Sequence, residues 1–162
     1  MKQLVLIRHA KSEHLFGVSD FERNITEQGA QAAKLTAKMA GPFFSVNPLI
    51  WCSPAARTQA TAAIFKELYT PFFNNFHLIA DLYTFSMEGL VQVIQTAPDT
   101  CNQLVVFGHN EGITDFVNTF GDIYLDNVPT SGLVPIIFDT PSWSMLRNGR
   151  TGSCLFPKQL FT

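Results

Sequence analysis

Three short runs dominated by large apolar residues occur along the chain, and polar residues follow each of them. The first is Leu4–Ile7, the second is Pro48–Cys52 and the third is Gln103–Phe107. None of them alternates strictly between apolar and polar positions, which is typical of strands buried on both faces of a parallel sheet. A further short strand is predicted over Phe76–Ala80.

Segments of helix-forming residues separate these strands. The first, Thr26–Ala40, begins with a threonine that is a suitable N-cap. The second, Ser53–Tyr69, begins with serine as its predicted cap and proline in its first turn. Two more helices are predicted over Ser86–Thr96 and Ile113–Phe120.

The C-terminal part has a different pattern. Two apolar segments, Val134–Phe138 and Gly152–Phe156, are joined through Trp143 and the turn-forming pair Asn148–Gly149. They predict an antiparallel hairpin at the edge of the sheet. The whole pattern predicts an α/β fold: a three-layer sandwich with a mostly parallel central sheet, helices on both faces and an antiparallel edge hairpin. Residues 1–162 contain no repeat or linker, so we expect one domain.

Composition narrows the class of protein. The net charge is −2 and there is no long basic run, so neither nucleic-acid nor membrane binding is predicted. No apolar run approaches the roughly 18 residues of a membrane-spanning helix, and the N-terminus does not resemble a signal peptide. The scattered residues Cys52, Cys101 and Cys154 are expected to be reduced thiols in a cytoplasmic protein.

Cationic and imidazole side chains follow the three predicted central strands. Arg8 and His9 end the first strand, Arg57 lies early in the helix after the second, and His109 follows the last. Because parallel strands end at the same edge of a sheet, these side chains are expected to converge there. Arginine matches the oxygens of a phosphoryl group, and a suitably held histidine can attack phosphorus.

A metal site is not predicted. No carboxylate or cysteine lies at ligand spacing beside His9 or His109. The other two histidines, His14 and His77, have no supporting motif and are interpreted as structural. We therefore expect the protein to need no metal and no cofactor.

Several motifs together resemble the histidine phosphatase superfamily, which has the phosphoglycerate-mutase-like fold, and most closely its small phosphohistidine phosphatase branch. The resemblance spans nearly the whole chain, and the matching segments are Leu6–Ser12, Ile25–Gly29, Ser53–Thr61, Val106–Asn110, Val128–Gly132 and Leu155–Lys158. It implies that His9 is the nucleophile and that Arg8, Arg57 and His109 bind the phosphoryl oxygens.

The same resemblance suggests secondary substrate-binding residues. Arg23 corresponds to an arginine that this branch often has near the pocket mouth, and Ser12 and Asn110 are further candidates. Lys11 is interpreted as a solvated loop residue, with a place at the rim of the pocket as the alternative.

One position departs from the superfamily pattern. Many members have a glutamate two residues after a leucine, past the third strand, as proton donor to the leaving group; here Thr84 follows Leu82 at that spacing. Asp81 and Glu88 are nearby candidates for a general acid, although neither matches the position. A protonated phosphoimidazole needs such an acid less than an alkyl phosphate does, so the departure favours a phosphoramidate substrate.

The predicted function is therefore a metal-independent phosphatase acting on phosphohistidine, with a role in signal transduction. The expected partner is a phosphorylated protein, such as a histidine phosphotransfer domain, or a small phosphorylated metabolite. Two alternatives remain open: a small-molecule phosphomonoesterase of the same superfamily, and a phosphoprotein-binding module without catalytic activity. A mutase is disfavoured because no added segment could enclose a small substrate.

Overall fold

The central feature of the computed structural model, which describes residues 1–160, is one six-stranded sheet in the order β3-β2-β4-β1-β5-β6. Strands β1, β2, β3 and β4 are parallel, whereas β5 is antiparallel to β1 and β6 to β5. This confirms the mostly parallel sheet with an antiparallel edge. The strands are β1 Lys2–Arg8, β2 Leu49–Cys52, β3 Phe76–Leu78, β4 Gln103–Gly108, β5 Leu133–Phe138 and β6 Arg150–Thr151.

Helices cover both faces of this sheet. Side chains of β1 alternate between two cores, with Leu4 and Leu6 in one and Val5 and Ile7 in the other. The first core is closed by α3 and α4, and the second by α1 and α2. The α-helices are α1 Glu27–Met39, α2 Ala56–Leu68, α3 Met87–Ile94, α4 Gly112–Phe120 and α5 Pro157–Leu160.

One of the two predicted helix caps is confirmed. The Thr26 hydroxyl accepts a hydrogen bond from the backbone N–H of Gly29, and Ser86 caps α3 in the same way. Gly29 is required by close packing, because a Cβ there would lie 2.5 Å from the carbonyl oxygen of Lys11. This contact holds the start of α1 against the loop that follows β1.

The predicted cap at Ser53 is wrong. Helix α2 begins at Ala56, and its N-cap residue Ala55 makes no side-chain capping bond. The backbone N–H of Ser53 donates to the carbonyl of Phe107 at 3.0 Å, so this residue continues the pairing of β2 with β4.

The predicted last strand, Gly152–Phe156, is also displaced. The pairing segment is β6 at residues 150–151, and only Leu155 in the predicted range forms a bridge, to Leu133. Gly152 donates its N–H to the carbonyl of Pro135 at 2.9 Å, but proline has no N–H to return the bond. The ladder therefore ends at this pair.

Within residues 1–160, no helix has both the length and the apolar character needed to cross a membrane. The three cysteines are free thiols. Cys52 is fully buried, and this burial raises its thiol pKa to about 12.

Candidate active site

The carboxyl ends of β1, β4 and β2 form the floor of a cleft. These strands are adjacent and parallel, with Arg8 opposite Gly108 and Cys52 opposite Phe107 in register. The residues that follow each strand therefore lie at one edge of the sheet, as the strand-end argument predicts. The backbone N–H of His9 donates to the carbonyl of Gly108 at 3.2 Å, which fixes the direction in which the chain leaves β1.

The cleft has a volume of about 300 Å³. His109 lies immediately beside it, buried, with its ring centroid 5.4 Å from that of His9. The structure thus brings together all four residues of the proposed catalytic set and the three secondary candidates. The lining residues that were predicted as site residues are Arg8, His9, Ser12, Arg23, Arg57 and Asn110.

The tautomer of His9 follows from its hydrogen bond. Its Nδ1 lies 2.7 Å from the carbonyl oxygen of Ala10, which can only accept, so Nδ1 carries the hydrogen. The lone pair is therefore on Nε2. Burial, assisted by the nearby guanidinium groups of Arg57 and Arg8, lowers the pKa of His9 to about 4, so the ring is neutral at pH 7. A neutral imidazole with a free lone pair is a competent nucleophile.

His109 is held in the same tautomer by a different partner. Its Nε2 lies 2.8 Å from the hydroxyl oxygen of Ser53, which also accepts the N–H of Ala55 at 3.4 Å. That hydroxyl has no other acceptor among the described residues, so it donates to Nε2 and leaves the hydrogen on Nδ1. Nδ1 is buried and has no partner in the described structure. Burial is the main cause that lowers the pKa of His109 to about 3.

The rings of two aromatic residues enclose His109 further. Tyr83 and Phe85 pack edge-on against it, with centroid distances of 5.6 and 5.2 Å. They exclude water from one side of the imidazole, which adds to the burial that keeps it neutral.

Two arginines, Arg57 buried and Arg8 half-buried, supply positive charge. Arg57 is 1% exposed; its Nη1 donates to the backbone carbonyl of Asp20 at 2.6 Å and its Nη2 to the Asp20 carboxylate at 3.1 Å. Arg8 donates from Nη1 to the carbonyl of Val128 at 2.8 Å, and burial lowers its pKa despite the opposing charge of Glu111. The Nε atoms of both arginines are buried without a partner among the described residues.

Sequence reasoning missed Asp20, which lies at the centre of this charge network. Its carboxylate pairs with Arg57 and, at 2.9 Å, with Arg23, and it accepts a hydrogen bond from the Tyr83 hydroxyl. These contacts hold the pKa of Asp20 well below its usual range. An acid three residues before an arginine is a weak local signal for such a pair, but the contact with Arg57 carries no sequence signal.

The secondary candidates lie around the mouth of the cleft. Arg23 donates from Nη1 to the Ser12 hydroxyl and, at 3.2 Å, to the carbonyl of Glu13. Lys11 is exposed and lines the cleft, in agreement with a rim position. His14, which was interpreted as structural, is exposed and lines the cleft as well.

The Asn110 side chain is occupied by structural contacts. Its Oδ1 accepts from the backbone N–H and the hydroxyl of Thr114 in the first turn of α4, at 3.1 and 2.9 Å. Its Nδ2 donates to the side chain of Asn127 at 2.7 Å. Only the backbone of Asn110 is therefore free to take the substrate-binding role predicted for it.

Neither candidate acid lines the cleft. Asp81 belongs to a 3-10 turn that lines a different cavity, together with Thr84. Glu88 is exposed in the first turn of α3. The remaining histidine, His77, lies at the opposite edge of the sheet and is hydrogen-bonded to Asn75 at 2.9 Å. Within residues 1–160, no group of three or more His, Cys, Asp or Glu side chains is placed to hold a metal ion.

Comparison with known proteins identifies the fold. No protein-family model and no curated protein sequence matches the chain. Solved structures assigned by name to phosphohistidine phosphatase SixA do match: one from Nakamurella multipartitia has a TM-score of 0.80 at 19% identity over 96% of each chain. One from Agrobacterium tumefaciens has a TM-score of 0.79 at 22% identity, over 95% of this chain and 97% of the other.

A third match is a protein histidine phosphatase SixA in complex with tungstate. Its TM-score is 0.78 at 17% identity, over 98% of this chain and 99% of the other. The coverage of each chain is almost complete, and the sequence identities are low. The protein therefore has the fold of these SixA structures, which is the fold that its sequence motifs predict.

Proposed function

We propose that this protein is a phosphatase that removes the phosphoryl group from phosphohistidine on a protein. The observation that carries the proposal is the state of His9. A backbone carbonyl fixes the hydrogen on Nδ1, so Nε2 presents its lone pair in a cleft that is also lined by Arg8 and Arg57. The shared fold with proteins named as phosphohistidine phosphatases supports the assignment.

In the first step, Nε2 of His9 attacks phosphorus and the bond from phosphorus to the substrate imidazole breaks. The substrate ring carries a hydrogen on its other nitrogen, so it leaves as neutral imidazole and needs no added proton. His9 becomes phosphorylated on Nε2 and retains its hydrogen on Nδ1. Water then attacks phosphorus, the P–N bond to His9 breaks, and dihydrogen phosphate and neutral His9 result.

Charge stabilisation comes from donors that the protein itself does not satisfy. The Nε groups of Arg8 and Arg57 and the Nδ1–H of His109 are buried without partners in the described structure. Such preorganised donors stabilise the phosphoryl oxygens in the transition state at little reorganisation cost. The proposal includes no metal ion, and activity should persist in the presence of a chelator.

The substrate class follows from the leaving group. An alkoxide benefits strongly from a general acid, whereas a protonated phosphoimidazole does not. Asp81 and Glu88, the acids considered from sequence, do not line the cleft. This supports a phosphoramidate substrate over the alternative of a small-molecule phosphomonoesterase.

A comparison of two substrates tests the proposal. The wild-type protein should hydrolyse phosphohistidine at least about a hundredfold faster than glycerol phosphate in kcat/KM, since general acid catalysis contributes factors of this size. Equal rates on both, or faster hydrolysis of the ester, would support the phosphomonoesterase alternative. Rapid acid-free quench with labelled substrate should recover label on His9; its absence in an active enzyme would exclude the covalent step.

A further inference from the structure

The loop that follows β1 exposes an unusual series of apolar side chains beside the cleft. Leu15 is 58% exposed, Phe16 is completely exposed and Val18 is 38% exposed. His14 precedes these three residues and Asp20 follows them, and both line the cleft. The apolar side chains therefore lie in the same short segment as the mouth of the phosphate site.

Local backbone geometry keeps Phe16 at the tip of this loop. The N–H of Val18 donates to the carbonyl of Leu15 at 3.3 Å, which closes a four-residue turn. Gly17 occupies the third position with φ +81, a conformation that favours glycine. Phe16 is the second residue of the turn. Full exposure of a phenylalanine is unfavourable in water, so a turn built to present one is a signature of a contact surface.

A second segment extends the apolar surface to the cleft itself. Phe21 is 42% exposed and packs edge-on against Tyr83 at a centroid distance of 5.1 Å. Tyr83 in turn packs against Phe85 at 5.3 Å. Phe85 is 46% exposed and lines the cleft. Two separate parts of the chain thus place aromatic side chains around one cationic cleft.

We propose that these five residues, the apolar rim, dock the protein that carries the phosphorylated side chain. The apolar rim consists of Leu15, Phe16, Val18, Phe21 and Phe85. The inference rests on the proposed function and specifies its partner: a protein surface on which apolar side chains surround the phosphoryl group. Charge complementarity supports a phosphorylated protein as the occupant, because the cationic cleft binds the phosphoryl anion. The apolar rim then buries the apolar side chains around that phosphoryl group. A small phosphorylated metabolite would fill the cleft and leave Phe16 in water.

The test compares a protein substrate with a small one. The probes are a histidine phosphotransfer domain phosphorylated with phosphoramidate, and free phosphohistidine. In Phe16→Ser, kcat/KM on the phosphorylated domain should fall about tenfold or more, since one large apolar side chain is no longer buried on binding. The rate on free phosphohistidine should stay within about twofold of the wild-type rate. Val46→Ser is the matched control, because Val46 is 90% exposed at the opposite edge of the sheet.

The outcomes separate the two proposals. A wild-type protein active on both probes, with Phe16→Ser unchanged on both or reduced equally on both, overturns the docking surface alone. A wild-type kcat/KM that is no higher on the domain than on free phosphohistidine also overturns the docking surface alone. Activity on neither probe overturns the proposed function, and the docking surface with it.

Two other occupants of the rim are tested directly. Binding to phosphatidylcholine vesicles that Phe16→Ser abolishes would assign the loop to a lipid surface. A dimer in sedimentation velocity that Phe16→Ser dissociates would assign it to a second copy of the chain. Either result overturns docking of the substrate protein.

Discussion

The two ends of the parallel strands carry cavities that differ in size and chemistry. The cleft at the carboxyl ends has a volume of about 300 Å³, whereas the cavity at the amino ends has about 840 Å³. Among the described residues that line the larger cavity there is no arginine, lysine or carboxylate. The smaller one contains arginines and a histidine with a free lone pair. Volume therefore does not locate the site, because a phosphoryl group requires cationic donors rather than space.

Two buried cations show the difference most directly. At the amino ends, the ammonium group of Lys2 donates to the carbonyls of Asp99 and Cys101 at 2.5 and 2.8 Å and to the side chain of Asn102 at 3.3 Å. These contacts use all three of its donors. At the carboxyl ends, Arg57 keeps a buried N–H without a partner in the described structure. The hydrogen bonds of Lys2 stabilise the fold, whereas the Nε–H of Arg57 is left as a donor that the described residues do not use.

The largest expected effect is the loss of the proposed nucleophile. His9→Ala should reduce kcat on phosphohistidine on the order of 10⁴-fold or more, because no other described group presents a lone pair to phosphorus in the same way. His77→Ala, at the opposite edge, is the matched control and should retain wild-type activity. Circular dichroism should show both variants folded. Turnover retained in His9→Ala would contradict the covalent mechanism.

A change of pH should affect stability through the two cleft histidines. Their folded-state pKa values, about 4 for His9 and about 3 for His109, lie below the unfolded value of 6.5. The unfolded state therefore binds more protons between pH 6.5 and 4, so this stability is fully present above pH 6.5 and is lost as the pH falls. Between pH 7 and 5 the free energy of unfolding should decrease by about 4 kcal/mol in total.

Urea denaturation at the two pH values measures this decrease. In His9→Ala the decrease between pH 7 and 5 should be about half of the wild-type one, since only His109 remains. Bound inorganic phosphate should oppose the decrease, because a nearby anion favours the protonated rings. A wild-type stability that is constant from pH 7 to 5 would contradict the burial argument.

Lys2, the hydrogen-bonded cation at the amino ends of the strands, should contribute to stability and not to turnover. Lys2→Met leaves the carbonyl of Asp99 without its donor, whereas the carbonyl of Cys101 keeps the indole N–H of Trp143, and the change should lower the free energy of unfolding by about 2 kcal/mol. The kcat of the folded fraction should be unchanged. Lys34→Met, on the exposed face of α1, should change stability by less than about 0.5 kcal/mol. A large loss of kcat in Lys2→Met would show that the two ends of the sheet are not independent.

The smallest predicted effect concerns the anion that already pairs with the cleft arginines. The Asp20 carboxylate contacts Arg57 and Arg23, so it competes with a phosphoryl group for the same donors. Asp20→Asn should tighten the binding of inorganic phosphate about threefold, as measured by its inhibition constant. Glu22→Gln is the control, because it removes the same charge from the same 3-10 turn. Since Glu22 lacks the contacts with Arg57 and Arg23, the inhibition constant should change less. Weaker binding in Asp20→Asn would show that the carboxylate mainly positions Arg57.

Much of the fold could be predicted from local pattern. The continuous apolar strands and the cap at Thr26 follow from burial and from a hydrogen bond over three residues, and both are present. The errors arise at residues whose conformation is set by contacts with a strand that is distant in the sequence. Ser53 remains paired with β4 instead of capping α2, and Pro135 ends the ladder that Gly152–Phe156 was expected to continue.

The location of the candidate site was predictable in the same way, from residues that follow the strands. The four central residues were expected to converge because they follow parallel strands, and the strand register brings them together. Their protonation states were not predictable, since they depend on partners such as Ser53, 56 residues from His109. Asp20 was missed because its contact with Arg57 spans 37 residues. The roles assigned to these side chains remain predictions.

The sequence by itself thus determined which segments form strands and helices, and which chemically active residues lie at the strand ends. Periodicity and burial are properties of neighbouring residues, so they can be read along the chain. The tertiary structure decided where hydrogens lie on His9 and His109, which buried donors remain unpaired and which apolar side chains surround the cleft. Those features depend on contacts between residues far apart in the chain, and only the packed sheet brings such residues together.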